Sequence, residues 1–323
     1  MNLEIIIDKN TCFYYWVQLI SNWDPYPIDP KSYNYYLYKI KLSKVQNIAI
    51  NKIKDILQND EKSRLTLAQL YLNKIENDEA KEIAKQSEIL KEVFESVWQE
   101  SLPNLEKWRE SLKSVDFNRF YESMGKIINF LDSDFDLKEL YTLYLIQNAP
   151  LAGVIGHAIN GTNFILVRPP SNQQVGLNNN IISIITHEYI HLIEHKSKIS
   201  RTILKNSYDK YITTNNISSP KGYTWRSMYV ESLVYCFADN VIGGYLRPET
   251  YNKPRPTINE MKDSIWKVLD KNKHNTRYVI SWAALNILPD VEEYIEKGLK
   301  IDQKIADKLS KIFLEFYFTQ MNK

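Results

Sequence analysis

Residues 181–195 read Ile-Ile-Ser-Ile-Ile-Thr-His-Glu-Tyr-Ile-His-Leu-Ile-Glu-His, and this stretch decides how the rest of the chain is read. Ile181, Ile182, Ile184, Ile185, Ile190, Leu192 and Ile193 surround its polar residues, so the spacing predicts a helix buried on most sides. Three imidazoles and two carboxylates in such a helix need partners, because an unpaired polar group loses hydration when buried. His187 and His191 are four apart and therefore neighbours on one face, about 5–6 Å between Cβ atoms. That separation lets both rings grip one zinc ion at about 2.0–2.1 Å per nitrogen. Glu188, about 100° further round the helix, stands beside the ion without ligating it. From there it can take a proton from a water that zinc has made acidic, with a pKa near 7 instead of about 15.7. With five histidines in 323 residues, chance would supply about 0.005 copies of the pattern.

A catalytic zinc ion commonly has three protein ligands and one open position. Between residues 192 and 240 the acids are Glu194, Asp209, Glu231 and Asp239. Asp209 lies in a polar, basic stretch and reads as solvated surface. Glu231 lies in the apolar helical run MYVESLVYCFADNV, where a carboxylate is costly unless paired or metal-bound. Glu231 is thus the expected third ligand; a buried ion pair with an arginine such as Arg226 is the other reading. Asp239, eight residues on, could support a metal-bound histidine.

The motif His187-Glu188-Tyr189-Ile190-His191 resembles the HExxH metallopeptidases, the zincin superfamily, and with Glu231 it is similar to the gluzincin branch. The resemblance implies an α+β zincin-like catalytic region with a small mixed sheet, one Zn2+ ion, and a peptide or protein substrate. It further implies an edge strand, ahead of the motif helix, that pairs with extended substrate. Asn163–Arg168 is the candidate, with Ile165 and Val167 near the cleft. It also implies a His or Tyr donating to the oxyanion, for which His274 is the first candidate and Tyr278, Tyr245 and Tyr223 the others. Two departures stand out: His191 and Glu231 are far apart, and residue 235 is Tyr where many gluzincins have Asp. The metzincin type is a poorer match, since residue 194 is Glu where that pattern needs Gly and, after His195, no His follows until His274. His191-Leu192-Ile193-Glu194-His195 also matches the inverted HxxEH pattern, so the stretch is nearly a palindrome.

Outward from the motif, Leu3–Ile7, Tyr141–Ile146 and Asn163–Arg168 read as strands. Gly153, Gly156 and Gly161 read as turn positions, and His157 as a turn residue between them. Helices are expected over about 11–23, from a Ser43 cap through Leu57, over 62–76, and over 80–101 with Pro103 as its stop. Further helices follow over 227–241, ended by Gly243-Gly244, from a Thr257–Glu260 capping box to Asp270, and over 276–321. A loop is expected over 206–224. Residues 1–115 form a mainly helical N-terminal region and 116–323 the catalytic region, with no Gly/Ser/Pro-rich connector between them.

The chain carries 41 basic and 39 acidic residues, a net charge of +2, which gives no electrostatic case for a nucleic-acid or anionic-membrane partner. No run of about 18 apolar residues is present. The apolar start Ile5–Ile7 is broken by Asp8 and Lys9, unlike a signal peptide. Cys12 and Cys236 form no CxxC pair. These features together predict a cytoplasmic protein.

Overall fold

The computed structural model of the chain describes residues 2–21, 40–57, 60–147, 155–159, 162–170, 179–215, 224–238, 244–247, 256–269, 271 and 275–317. Four short strands are present among the described residues: β1 (Leu3–Ile6), β2 (Tyr141–Leu145) and β4 (Phe164–Arg168), rich in Ile, Leu, Tyr, Phe and Val, and β3 (Ile155–Ala158), which is not. They form one mixed sheet in the order β1-β2-β4-β3. β1 runs parallel to β2, with Leu3 opposite Tyr141, and β2 parallel to β4, with Thr142 opposite Phe164. β3 is antiparallel to β4, pairing Ile155 with Arg168 and Ala158 with Ile165.

This order corrects one expectation. Asn163–Arg168 is no edge strand: β4 is bonded on both sides and all five of its residues are buried. A strand with both sides occupied has no main-chain groups left to offer a substrate. Among the described residues the outer strands are β1 and β3, and β3 contains Gly156 and His157, so these lie in a strand and not in the expected turn.

α1 (Lys9–Ile20) begins at Asp8, whose carboxylate accepts the Thr11 amide, and is buried from Thr11 onward. It packs on the sheet, with the Gln147 side chain donating to Cys12 O at 2.8 Å. α2 (Lys44–Ile56) starts with the expected Ser43 cap, completed as a capping box by Gln46. α3 (Asp60–Tyr71), α4 (Asp78–Ser87) and α5 (Lys91–Lys113) complete the N-terminal helices. Pro103 does not end α5. Proline in a helix costs about 3 kcal/mol, and here packing offsets it. Trp98, Leu105, Trp108 and Leu112 are buried along α5, and Trp108 Nε1 donates to Pro170 O at 2.9 Å.

A short 3-10 turn, Phe117–Phe120, leads into α6 (Tyr121–Leu131). The motif helix is α7 (Asn179–His195), which packs on β3 and β4. α8 (Lys198–Tyr208), capped by Ser197, continues as a π-helical turn over Asp209–Thr213, so the expected loop is helical in its first part. α9 (Trp225–Phe237) packs on α7 and α8. α10 (Ile258–Leu269) has the expected Thr257–Glu260 capping box. α11 (Thr276–Glu296) packs along α9, and α12 (Gln303–Phe316) lies against α8 and α11. The first 115 residues supply β1 to the common sheet and α1 to its face, and one apolar core runs through both halves of the chain. Among the described residues no helix is long and apolar enough to cross a membrane.

Candidate metal centre

One turn of α7 separates His187 from His191, and their rings meet edge to face with centroids 4.8 Å apart. The two Nε2 atoms are 3.1 Å apart. From α9, Glu231 brings Oε1 to 3.3 Å from His191 Nε2 and Oε2 to 3.6 Å from His187 Nε2. Among the described residues this is the one group of three whose ligand atoms lie within 4.8 Å of one another.

The C-terminal end of α9 is tied down by its own return. Tyr245 N donates to Cys236 O at 2.7 Å and Leu246 N to Phe237 O at 2.8 Å. Gly244 makes that return with φ of 55°, where a Cβ would meet the Phe237 carbonyl carbon at 2.5 Å. The next carbonyl, Ala238 O, lies 2.9 Å from His187 Nδ1. A carbonyl can only accept, so Nδ1 carries the proton and the Nε2 lone pair of the neutral ring faces Glu231 and His191. The Tyr235 ring stands edge-on to His187, with centroids 5.5 Å apart.

The separations test whether the trio fits an ion. Charge-assisted N–H···O bonds are about 2.7–2.9 Å, and both contacts to Glu231 are longer. Three ligands at about 2.0–2.1 Å in a tetrahedral array would instead lie roughly 3.3 Å from one another. Here the two Nε2 atoms are 3.1 Å apart, Glu231 reaches each ring with a different oxygen, and with one atom taken from each residue the three lie within 4.8 Å of one another. The donor set, two imidazoles and a carboxylate, is that of a catalytic zinc site and leaves a fourth position open. The residues could therefore hold a metal ion.

Without an ion the trio is electrostatically tense. Burial pushes His187 down, but the adjoining Glu231 and the Glu188 charge outweigh it and raise its pKa from 6.5 to about 9. Burial likewise opposes the charge on His191, and Glu231 again wins, raising it. Glu231 is held well below the usual carboxylate range, because the two imidazoles overcome its own desolvation.

Glu188 points to the sheet. It is 7% exposed, and its Oε2 accepts the Ala158 N–H of β3 at 2.7 Å. Burial is the largest influence on its carboxyl and raises the pKa, against the lowering effect of the two histidines. A Cβ at Gly156 would meet Glu188 Cγ at 2.5 Å, Ile184 Cγ2 at 2.7 Å and Glu188 Oε1 at 2.9 Å. The Glu188 side chain thus lies directly over a residue without a side chain. Strand alternation turns His157 to the other face, where its Nε2 lies 3.2 Å from the Tyr15 hydroxyl of α1.

His187, His191, Glu188 and Glu231 are brought together. Ile165 and Val167 are not near any opening: both are fully buried in β4. Glu194 turns toward α8, with Arg201 Nε at 3.6 Å and the Ser200 hydroxyl at 3.3 Å. Asp209 opens the π turn. Tyr245 donates to Glu296 at 3.2 Å, and Tyr278 is packed against the apolar core. His274, Tyr223 and Asp239 lie outside the described residues, as does the Arg226 side chain. Sequence reasoning missed Gly156, Ala158, Tyr235 and Ala238. Main-chain donors and acceptors carry no residue-type signal, and a glycine under a carboxylate is indistinguishable in sequence from a glycine in a turn. No protein-family model, curated protein sequence or solved structure matches this chain.

Proposed function

We propose that the chain is a zinc-dependent metallopeptidase, with His187, His191 and Glu231 as ligands and Glu188 as general base. The observation that carries this is the convergence of two imidazole Nε2 atoms, 3.1 Å apart, on the one Glu231 carboxylate, with the buried Glu188 carboxylate beside them. Zinc bound there supplies Lewis acidity and makes a coordinated water acidic near neutral pH. The chain's own residues do the rest. Ala238 O fixes the His187 tautomer, so that Nε2 faces the ligand position. Burial lifts Glu188 toward the pKa range useful to a base at neutral pH, and Oε1 takes up the proton while Oε2 stays on Ala158.

A peptide substrate is favoured over a small ester or amide by the geometry of β3. Ile159 N donates to Phe164 O, so in the β3–β4 register the groups of His157 face β4 and those of Gly156 and Ala158 face outward. The Gly156 N–H and C=O and the Ala158 C=O are then positioned for an extended chain laid along the edge.

Metal analysis and a peptide library test the reading together. Wild-type protein should hold one zinc per chain and cleave peptides. His187→Ala and Glu231→Ala should lose zinc, and Glu188→Gln should keep zinc and lose turnover. Zinc retained in Glu231→Ala, or cleavage by Glu188→Gln, overturns the assignments. Cleavage of small esters with every peptide intact overturns the substrate class.

A further inference from the structure

Glu188 is one position along from His187, and the hydrogen bond that holds its carboxylate does not come from α7. A glutamate side chain has three rotatable bonds and loses entropy comparable to a hydrogen bond when held in one rotamer. What holds it comes from the sheet. Ala158 N–H takes Oε2 at 2.7 Å, and Gly156 leaves the space that Cγ and Oε1 fill. Ile184, one turn earlier on α7, closes the side of the same space, since its Cγ2 would lie 2.7 Å from a Gly156 Cβ. The Ala158 N–H points away from β4, so this bond takes nothing from the ladder.

We infer that β3 is the positioning element for the base: Gly156 and the Ala158 amide together clamp Glu188 in the one rotamer that directs Oε1 to the proton it must remove. Neither residue is catalytic; both act through Glu188. This rests on the reading of Glu188 as base, yet it makes a claim about the resting protein that can be read without turnover. A further consequence concerns substrate pairing. With the Ala158 N–H engaged, an extended chain on β3 is read through the two Gly156 groups and the Ala158 carbonyl, a register with one fewer donor than a free edge presents.

The test uses zinc-loaded full-length protein labelled with 15N-alanine. The Ala158 amide proton, bonded to a carboxylate, should resonate downfield in wild type and move upfield in Glu188→Gln. Gly156→Ala should shift the same resonance while zinc content stays at one per chain, because the ligands are untouched. It should lower kcat about 100-fold with little change in KM, the penalty for a reacting group displaced by about 1 Å. Ala158→Pro removes the donor at an outward-facing edge position that tolerates proline, and should lower kcat in the same way. Glycine at 158 restores both N–H and space, so Ala158→Gly should retain wild-type kcat. An unmoved Ala158 amide in Glu188→Gln and Gly156→Ala overturns the clamp, whatever the turnover. A moved amide together with full activity in Glu188→Gln keeps the clamp and instead overturns the base assignment.

Discussion

Removing metal should give this protein an inverted pH–stability relation in the neutral range, and Glu231 should be the cause. In the folded, metal-free chain His187 has a pKa of about 9, against 6.5 for the ordinary group. A raised histidine stabilises fully below its unfolded value and loses that contribution as pH climbs through its folded one. Between pH 6.5 and 9 the folded state binds more protons than the unfolded state, so stability falls with rising pH. The difference is worth about 3 kcal/mol. His191 shifts in the same direction and for the same reason, while the lowered Glu231 is the other side of the same interaction and is not added again. At roughly 2 °C per kcal/mol for a chain of this size, Tm in chelator should drop by about 6 °C across the window. In Glu231→Gln the chief attraction is gone and only the weaker pull of Glu188 opposes burial, so the drop should shrink markedly. Saturating zinc should remove the drop in wild type as well, because bound imidazoles must be neutral. Differential scanning fluorimetry at pH 6.5, 7.5, 8.5 and 9 on both proteins, with EDTA and with zinc, measures all of this. Parallel wild-type and Glu231→Gln curves in EDTA would refute the idea that the three side chains form one buried charge cluster.

Three further outcomes are expected. Excess zinc at about 1,000 times Kd should stabilise the chelated wild-type protein by about 4 kcal/mol, read as a Tm rise that His187→Ala does not show. Gly244→Ala forces a side chain into φ of 55° and against Phe237, so it should cost at least about 1–2 kcal/mol in urea unfolding. Because that return seats the carbonyl on His187, the same variant should also bind zinc more weakly in a competitive chelator titration. Trp108→Phe leaves one carbonyl bond of Pro170 unmade inside the core and should lower stability by about 1–3 kcal/mol in urea unfolding.

The parts of the site visible in sequence are those whose chemistry and spacing are local. His187, Glu188 and His191 declare themselves because two imidazoles four apart share a helix face whatever surrounds them. Glu231 was reachable by elimination, as the acid in an apolar helix. The supporting groups were not, since Ala158 and Ala238 act through main chain. β3 was hidden by its composition: glycine and histidine are poor strand formers, and the strand exists because β4 supplies its partner. Ile165 and Val167 fitted a strand, but pairing order decides whether a strand is an edge, and order is a tertiary property. Pro103 shows the same override in a helix, with buried tryptophans prevailing over a local breaker. The capping residues Ser43 and Thr257 were legible because a cap is satisfied within four residues.

The pairing of Leu3 with Tyr141 joins residues 138 positions apart. At a synthesis rate of about 5–20 residues per second, the first strand waits on the order of 10 s before its neighbour leaves the ribosome. Throughout that interval Leu3, Ile5 and Ile6 have no sheet to join, and the helices between them and β2 must fold or be shielded without it. Among the described residues, the outer strand on that side is therefore made long before the strand that seats it.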